Sequence, residues 1–166
     1  ASDDAGSRTE PDPELVAAAE TMKTSLAILE PKLREKDVAQ EPQGRIIIAT
    51  VKGDLHDIGK TMVSSLLMAN GFEVIDLGID VATPDIIAAA RKHQADMICL
   101  SALLTTTILA QKEVIDALLE MGHREDFKVM IGGAASSKNW AAEIGADAYG
   151  ADAQEATEIA VDLLTK

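Results

Sequence analysis

Aromatic side chains are almost missing from this chain: one Trp, one Tyr and two Phe in 166 residues. Its core must therefore be built from Ile, Leu, Val, Ala and Met, which suits helices packed on a parallel sheet better than an all-β sandwich. Apolar residues still make up 47% of the chain, enough for one domain with a real core. Cysteine is confined to Cys99, inside the apolar run MICLSALL, so no intramolecular disulfide can form and a buried structural thiol is expected. Positive charge is scarce as well. Lys and Arg total 15 against 28 Asp and Glu, a formal net charge of −13. Tight binding to nucleic acid or to an anionic membrane surface needs clustered cations, so neither partner is expected. Acidic composition favours solubility and permits basic protein partners, without identifying any. The longest apolar runs are strand-length. No spanning helix or secretory signal is visible, and a cytoplasmic location is expected.

The chain divides by composition. Residues 1–11 are polar and aperiodic and read as a disordered tail. Residues 12–40 carry a helical pattern: Asp12 as cap, Pro13 in the first turn, and a stripe of Leu15, Met22, Leu26, Leu29 and Leu33, interrupted at Pro31. That stripe must pack, either on the main domain or on a partner. The stretch AQEPQG is a linker. From residue 44 onward strand-like and helix-like segments alternate. RIIIATV (45–51), FEVIDLG (72–78), DMICLSA (96–102), KVMIGG (128–133) and ADAYG (146–150) read as strands. Helices are expected between and after them, including one ending at Gly71 and one capped by Thr83 with Pro84 at its first position. Five strands in this alternation give a doubly wound, Rossmann-like or flavodoxin-like parallel sheet.

In such sheets, ligands bind at the carboxyl ends of the strands. Three segments meet there: the loop from Gly53 to Gly59, the stretch from Ser101 to Thr107, and Gly132-Gly133-Ala134. The first of these, within TVKGDLHDIGKTM, superficially resembles a phosphate loop. Its glycines are five residues apart instead of four, and two aspartates would repel a polyphosphate. A histidine flanked by carboxylates suits a metal better, since a ligating imidazole usually donates its other N–H to a carboxylate. One His–Asp pair is too small for a stand-alone zinc site, and His93 and His123 lie on other segments. A lone histidine is best suited as an axial ligand to a metal held by a macrocycle. Lys60 reads as a solvated helix residue, Trp140 as packing, and His93 and His123 as surface positions.

DLHDIG fits D-x-H-x-x-G; 41 residues separate Gly59 from Ser101-Ala102-Leu103, and 28 residues separate Leu103 from Gly132-Gly133. Together these closely resemble the signature of cobalamin-binding domains, over roughly residues 44–166. The resemblance implies a base-off, histidine-on corrinoid. His56 would be the lower cobalt ligand, Asp54 would hydrogen-bond it, and Thr107 would complete the relay where the family usually has serine. Ser101 and Thr105 would contact the buried tail base, and Leu103 would line its slot. Gly59, Gly132 and Gly133 would make room for the tail. Asp57 and Ile58 would approach the corrin, and Tyr149 would close the far wall.

The wording VKGDLHDIGKTMV resembles the methyl-carrying branch of the family, and AAAETMKTSLAILEPKL resembles the last helix of the cap that precedes the domain in corrinoid methyltransferase proteins. The implied function is a corrinoid carrier that accepts a methyl group on Co(I) from a donor-specific methyltransferase. It would pass that group from methyl-Co(III) to a second methyltransferase acting on tetrahydrofolate or a thiol. A reductive activase is a further candidate partner. The alternatives are the small subunit of an adenosylcobalamin-dependent mutase and a cobalamin-sensing regulatory domain.

Overall fold

A computed structural model describes residues 41–165. The expected tail over 1–11 and helical segment over 12–40 lie outside these residues. The strands are β1 (Arg45–Thr50), β2 (Glu73–Asp76), β3 (Met97–Ser101), β4 (Lys128–Gly132) and β5 (Ala148–Gly150). The helices are α1 (Ile58–Ala69), α2 (Thr83–Lys92), α3 (Ile108–Glu120), α4 (Lys138–Ile144) and α5 (Ala153–Leu164), with a 3₁₀ turn at Arg124–Asp126. Every strand pairing is parallel and the spatial order is β2-β1-β3-β4-β5. That is the flavodoxin-like order, with its switch point between β1 and β3.

The near-continuous apolar run of β1 is what a strand covered on both faces requires. Ile46 and Ile48 face a core with Met97, Cys99, Met130 and residues of α1 and α5. Ile47, Ala49 and Val51 face the other core, with Ile98, Leu100 and residues of α2 and α3. Two-residue alternation thus feeds two cores from one strand.

Local signals mostly act where the sequence places them. Gly71 follows α1 at φ +87, the left-handed conformation expected of a glycine past a helix end. Ser137 and Asp152 cap α4 and α5 by accepting hydrogen bonds from the N–H groups of Trp140 and Glu155. The expected Thr83 cap is not formed. Ala82 holds the cap position without a side-chain bond, and Thr83 is already helical. Val81 is pinned by a bridge to Val51, so the chain turns into α2 one residue early. Pro84 is accommodated in the first turn, where no N–H partner is needed.

Gly133 makes the tightest backbone contact at the carboxyl edge. It sits at φ +106, and a Cβ there would lie 2.0 Å from the Ala102 carbonyl oxygen. Gly59, in the first turn of α1, is the opposite case, because a Cβ would meet nothing within 4 Å. Gly133→Ala is therefore expected to cost on the order of 3 kcal/mol or more, and Gly59→Ala to be neutral or slightly stabilising. Urea denaturation of the two variants without added ligand checks both.

Candidate functional site

The loop after β1 is organised around one carboxylate. Asp54 is fully buried, with 0% exposure. Its Oδ1 accepts from the His56 ring nitrogen Nδ1 at 2.7 Å and from the His56 backbone N–H at 3.1 Å. Its Oδ2 accepts from the Leu103 N–H and from the Thr107 hydroxyl, both at 2.7 Å. Burial by itself would raise the carboxyl pKa. The bonds from Thr107, Leu103 and both His56 donors outweigh it and hold the group well below the usual carboxylate range. Asp54 is thus an anion that can only accept, so the imidazole carries its proton on Nδ1 and leaves a lone pair on Nε2. The imidazole itself is 51% exposed. Thr50 Oγ1 secures the loop from below by donating to the His56 carbonyl at 2.8 Å.

A second brace comes from the loop after β2. The Asp80 N–H donates to the Asp54 carbonyl at 2.9 Å, and Asp80 Oδ1 accepts from the Gly53 N–H at 2.8 Å. Asp80 holds φ +50, a left-handed conformation uncommon for a residue with a side chain. Nothing in its sequence spacing marks Asp80 for this task.

Beside the loop lies a cavity of about 320 Å³ between the sheet and the α1–α5 layer. Strand register explains its shape. At the carboxyl edge Ser101, Gly132 and Gly150 lie side by side across β3, β4 and β5. Two residues deeper, Ile48, Cys99 and Met130 form the next row on the same face. Gly59 and Val63 of α1 and Ala153 and Ala156 of α5 close the opposite side, and His56 stands on its rim. Ser101 and Gly132 leave the opening, while Gly150 lets α5 approach the sheet: a Cβ there would lie 2.7 Å from the Ala156 Cβ.

The structure brings Asp54, His56 and Thr107 into contact and places Gly59, Ser101, Leu103, Gly132 and Gly133 with His56 around the cavity. Gly133 must lack a side chain because of Ala102, whatever occupies the cavity. Tyr149 borders the cavity too, but it pairs with Ile131 and packs against the core on the α2–α3 side. Gly150, one residue on, faces the cavity instead. The Thr107 hydroxyl makes no cap bond to α3 and is committed to Asp54, with the Leu104 carbonyl at 3.0 Å. Thr105 is exposed and lies off the cavity wall. Asp57 holds the cap position of α1, its carbonyl accepting from the Thr61 N–H and hydroxyl, and Ile58 is exposed beside it.

Lys60 departs from expectation. It is buried, not solvated, and its Nζ reaches both oxygens of Asp76 at 2.5 and 2.6 Å. It faces the end of β2 from the first turn of α1, and a charge buried there requires a partner. Gln111, passed over in the sequence, is also fully buried. Its amide donates to the Leu100 and Gly132 carbonyls and accepts from Ser136 and Trp140, all at 3.1 Å. It clamps the ends of β3 and β4 from the face opposite the cavity. Trp140 packs as expected, through a bond the sequence did not suggest. His93 and His123 lie at the far edge of the sheet, His123 bonded to Asp126.

A single imidazole on the rim of a cavity, at the switch point of a flavodoxin-like sheet, defines a class: domains that bind a ligand at the carboxyl edge of the sheet. The family model for the B12 binding domain matches residues 44–160, and the chain belongs to that family. It is 44% identical over 155 residues to a corrinoid protein of Desulfitobacterium hafniense, covering 93% of this chain and 72% of the relative. Among solved structures it resembles the Methanosarcina barkeri monomethylamine corrinoid protein, with TM-score 0.77, 37% identity, and coverage of 91% of this chain and 71% of that one. It also resembles a chain of the methanol:cobalamin methyltransferase complex of the same organism, with TM-score 0.72, 37% identity, and coverage of 80% and 51%.

The residues fit a corrinoid. No cluster of three or more His, Cys, Asp or Glu able to hold a free metal ion exists among the described residues, so a metal that met His56 would have to bring its other ligands with it. The open space at Gly59 is a cradle that a side chain would fill.

Asp54→Asn puts an amide N–H₂ where four donors converge. It is expected to cost about 1–3 kcal/mol even without ligand, because at least one buried donor loses its acceptor. Thermal unfolding of the unliganded variant checks this. Wild-type stability in Asp54→Asn would contradict the bonding described.

Proposed function

We propose that this chain is a corrinoid methyl carrier that holds its cofactor base-off, with His56 as the lower ligand. One observation carries the reading: a buried anionic carboxylate fixes the imidazole tautomer so that Nε2 presents its lone pair at the mouth of the slot. The bound corrinoid supplies a cobalt centre that takes up and releases a methyl group. The protein's own part is positional and electrostatic. Asp54 would keep the proton on Nδ1 and orient the ring, leaving Nε2 as the atom available to the cobalt. The Thr107 hydroxyl and Leu103 N–H occupy the other carboxylate oxygen, so Asp54 cannot swing away.

In this reading Ser101, Leu103, Gly59, Gly132 and Gly133 border the tail, with Tyr149 at the far side. Asp57 and Ile58 approach the corrin or its amides, and Thr105 joins Ser101 as a contact of the tail base. The similarity to a monomethylamine corrinoid protein and to a methanol:cobalamin methyltransferase complex supports a methyltransferase partner. One methyltransferase would deliver the methyl group from a small methylated donor. A second would remove it to tetrahydrofolate or a thiol, and a reductive activase would restore an oxidised cofactor. Binding of nucleic acid is not part of this role. No helix among the described residues is long and apolar enough to cross a membrane.

Reconstitution with methylcobalamin tests the ligation. Wild type is expected to retain the corrinoid through gel filtration with a nitrogen-ligated absorption spectrum, and His56→Ala to shift to a base-off spectrum. Matching spectra would remove His56 from the cobalt. Failure of folded wild type to retain any corrinoid would contradict the carrier role.

A further inference from the structure

The two rows of the slot differ in chemistry. The edge row, Ser101, Gly132 and Gly150, is small and partly polar. The floor row, Ile48, Cys99 and Met130, is buried and presents only carbon and sulfur. The backbone polar groups of this row are engaged in the parallel ladder and offer nothing to a ligand. The Cys99 thiol stays neutral, since burial pushes its pKa up to about 12, and a neutral thiol is a weak donor. Val63 and Ala156 add apolar surface from the helices opposite.

We infer that Cys99 and Met130 are specificity-determining residues: this floor selects corrinoids whose nucleotide tail ends in an apolar aromatic edge, such as dimethylbenzimidazole, over those ending in a purine. A benzimidazole edge loses water at no polar cost. The ring nitrogens and amino group of adenine would lose water and find no partner on the floor. Selection of the whole cofactor by its remote tail then follows from desolvation alone. The inference rests on the base-off reading, because only a detached tail can enter the slot.

The test is a binding titration of the whole chain with three probes: cobalamin, its adenine-based analogue, and cobinamide, which has no tail base. Equilibrium dialysis and the absorption spectrum provide the readouts. Cobalamin is expected to bind roughly ten-fold or more tightly than the adenine analogue, and cobinamide more weakly than cobalamin. Met130→Gln, nearly isosteric, places an amide on the floor and is expected to narrow the gap between cobalamin and the adenine analogue. Equal affinity for the two tailed probes, both above cobinamide, would overturn the selectivity and leave the tail in the slot. Cobinamide binding as tightly as cobalamin would overturn both readings. An unchanged ratio in Met130→Gln would overturn the assignment to the floor.

Discussion

The arrangement at the ligand edge depends on one buried carboxylate. Asp54 accepts four hydrogen bonds from three parts of the chain: its own loop, the turn after β3 and the start of α3. An ion without solvent is tolerable only when so fully bonded, and the same bonds make it rigid. The imidazole inherits that rigidity through a single 2.7 Å contact. A half-exposed histidine is thereby held like a buried one on its Nδ1 side while its Nε2 side stays free. The Asp80 brace and the Thr50 hydroxyl do the same for the backbone around it. The structure thus concentrates polar satisfaction on the Nδ1 side of the imidazole and leaves Nε2 without such a brace.

The slot follows from register rather than from any single residue. Parallel pairing aligns Ser101, Gly132 and Gly150: the first two leave the opening at the carboxyl edge, and Gly150 lets Ala156 of α5 pack close against the sheet. Two residues deeper the same register supplies larger side chains and closes the floor. The Gln111 network on the other face holds the ends of β3 and β4 together, so that the opening does not weaken the sheet where it is made. Two buried polar systems, one around Asp54 and one around Gln111, therefore brace the strand ends beside the cavity.

The sheet was legible from the sequence because its strands are short apolar runs set between helical patterns, and each run carries its own boundary signals. The contact of Asp54 with His56 was legible because the two lie two residues apart in one loop, and Thr107 came only from the resemblance. What the sequence hid was partnership across distance. Lys60 looks like any first-turn lysine until β2 delivers Asp76 to it. Gly150 ends an ordinary-looking short strand, and only the pairing of β4 with β5 shows that it completes the row begun by Ser101. Tyr149, expected at the far wall, borders the cavity, yet strand alternation packs it against the other core. Thr83 had the right chemistry for a cap, but the Val51–Val81 bridge fixed the turn one residue earlier. Asp80 has a role set by a left-handed backbone, which no local pattern announces.

The central claim is that a protein imidazole, not the cofactor's own base, stands beneath the cobalt. Electron paramagnetic resonance of the cob(II)alamin-loaded protein, prepared with natural-abundance and with ¹⁵N-labelled histidine, tests it most directly. The account predicts nitrogen superhyperfine splitting that changes from triplets to doublets when histidine alone is labelled. Triplets that persist with labelled histidine would mean that the nitrogen belongs to the cofactor, and the account would be wrong.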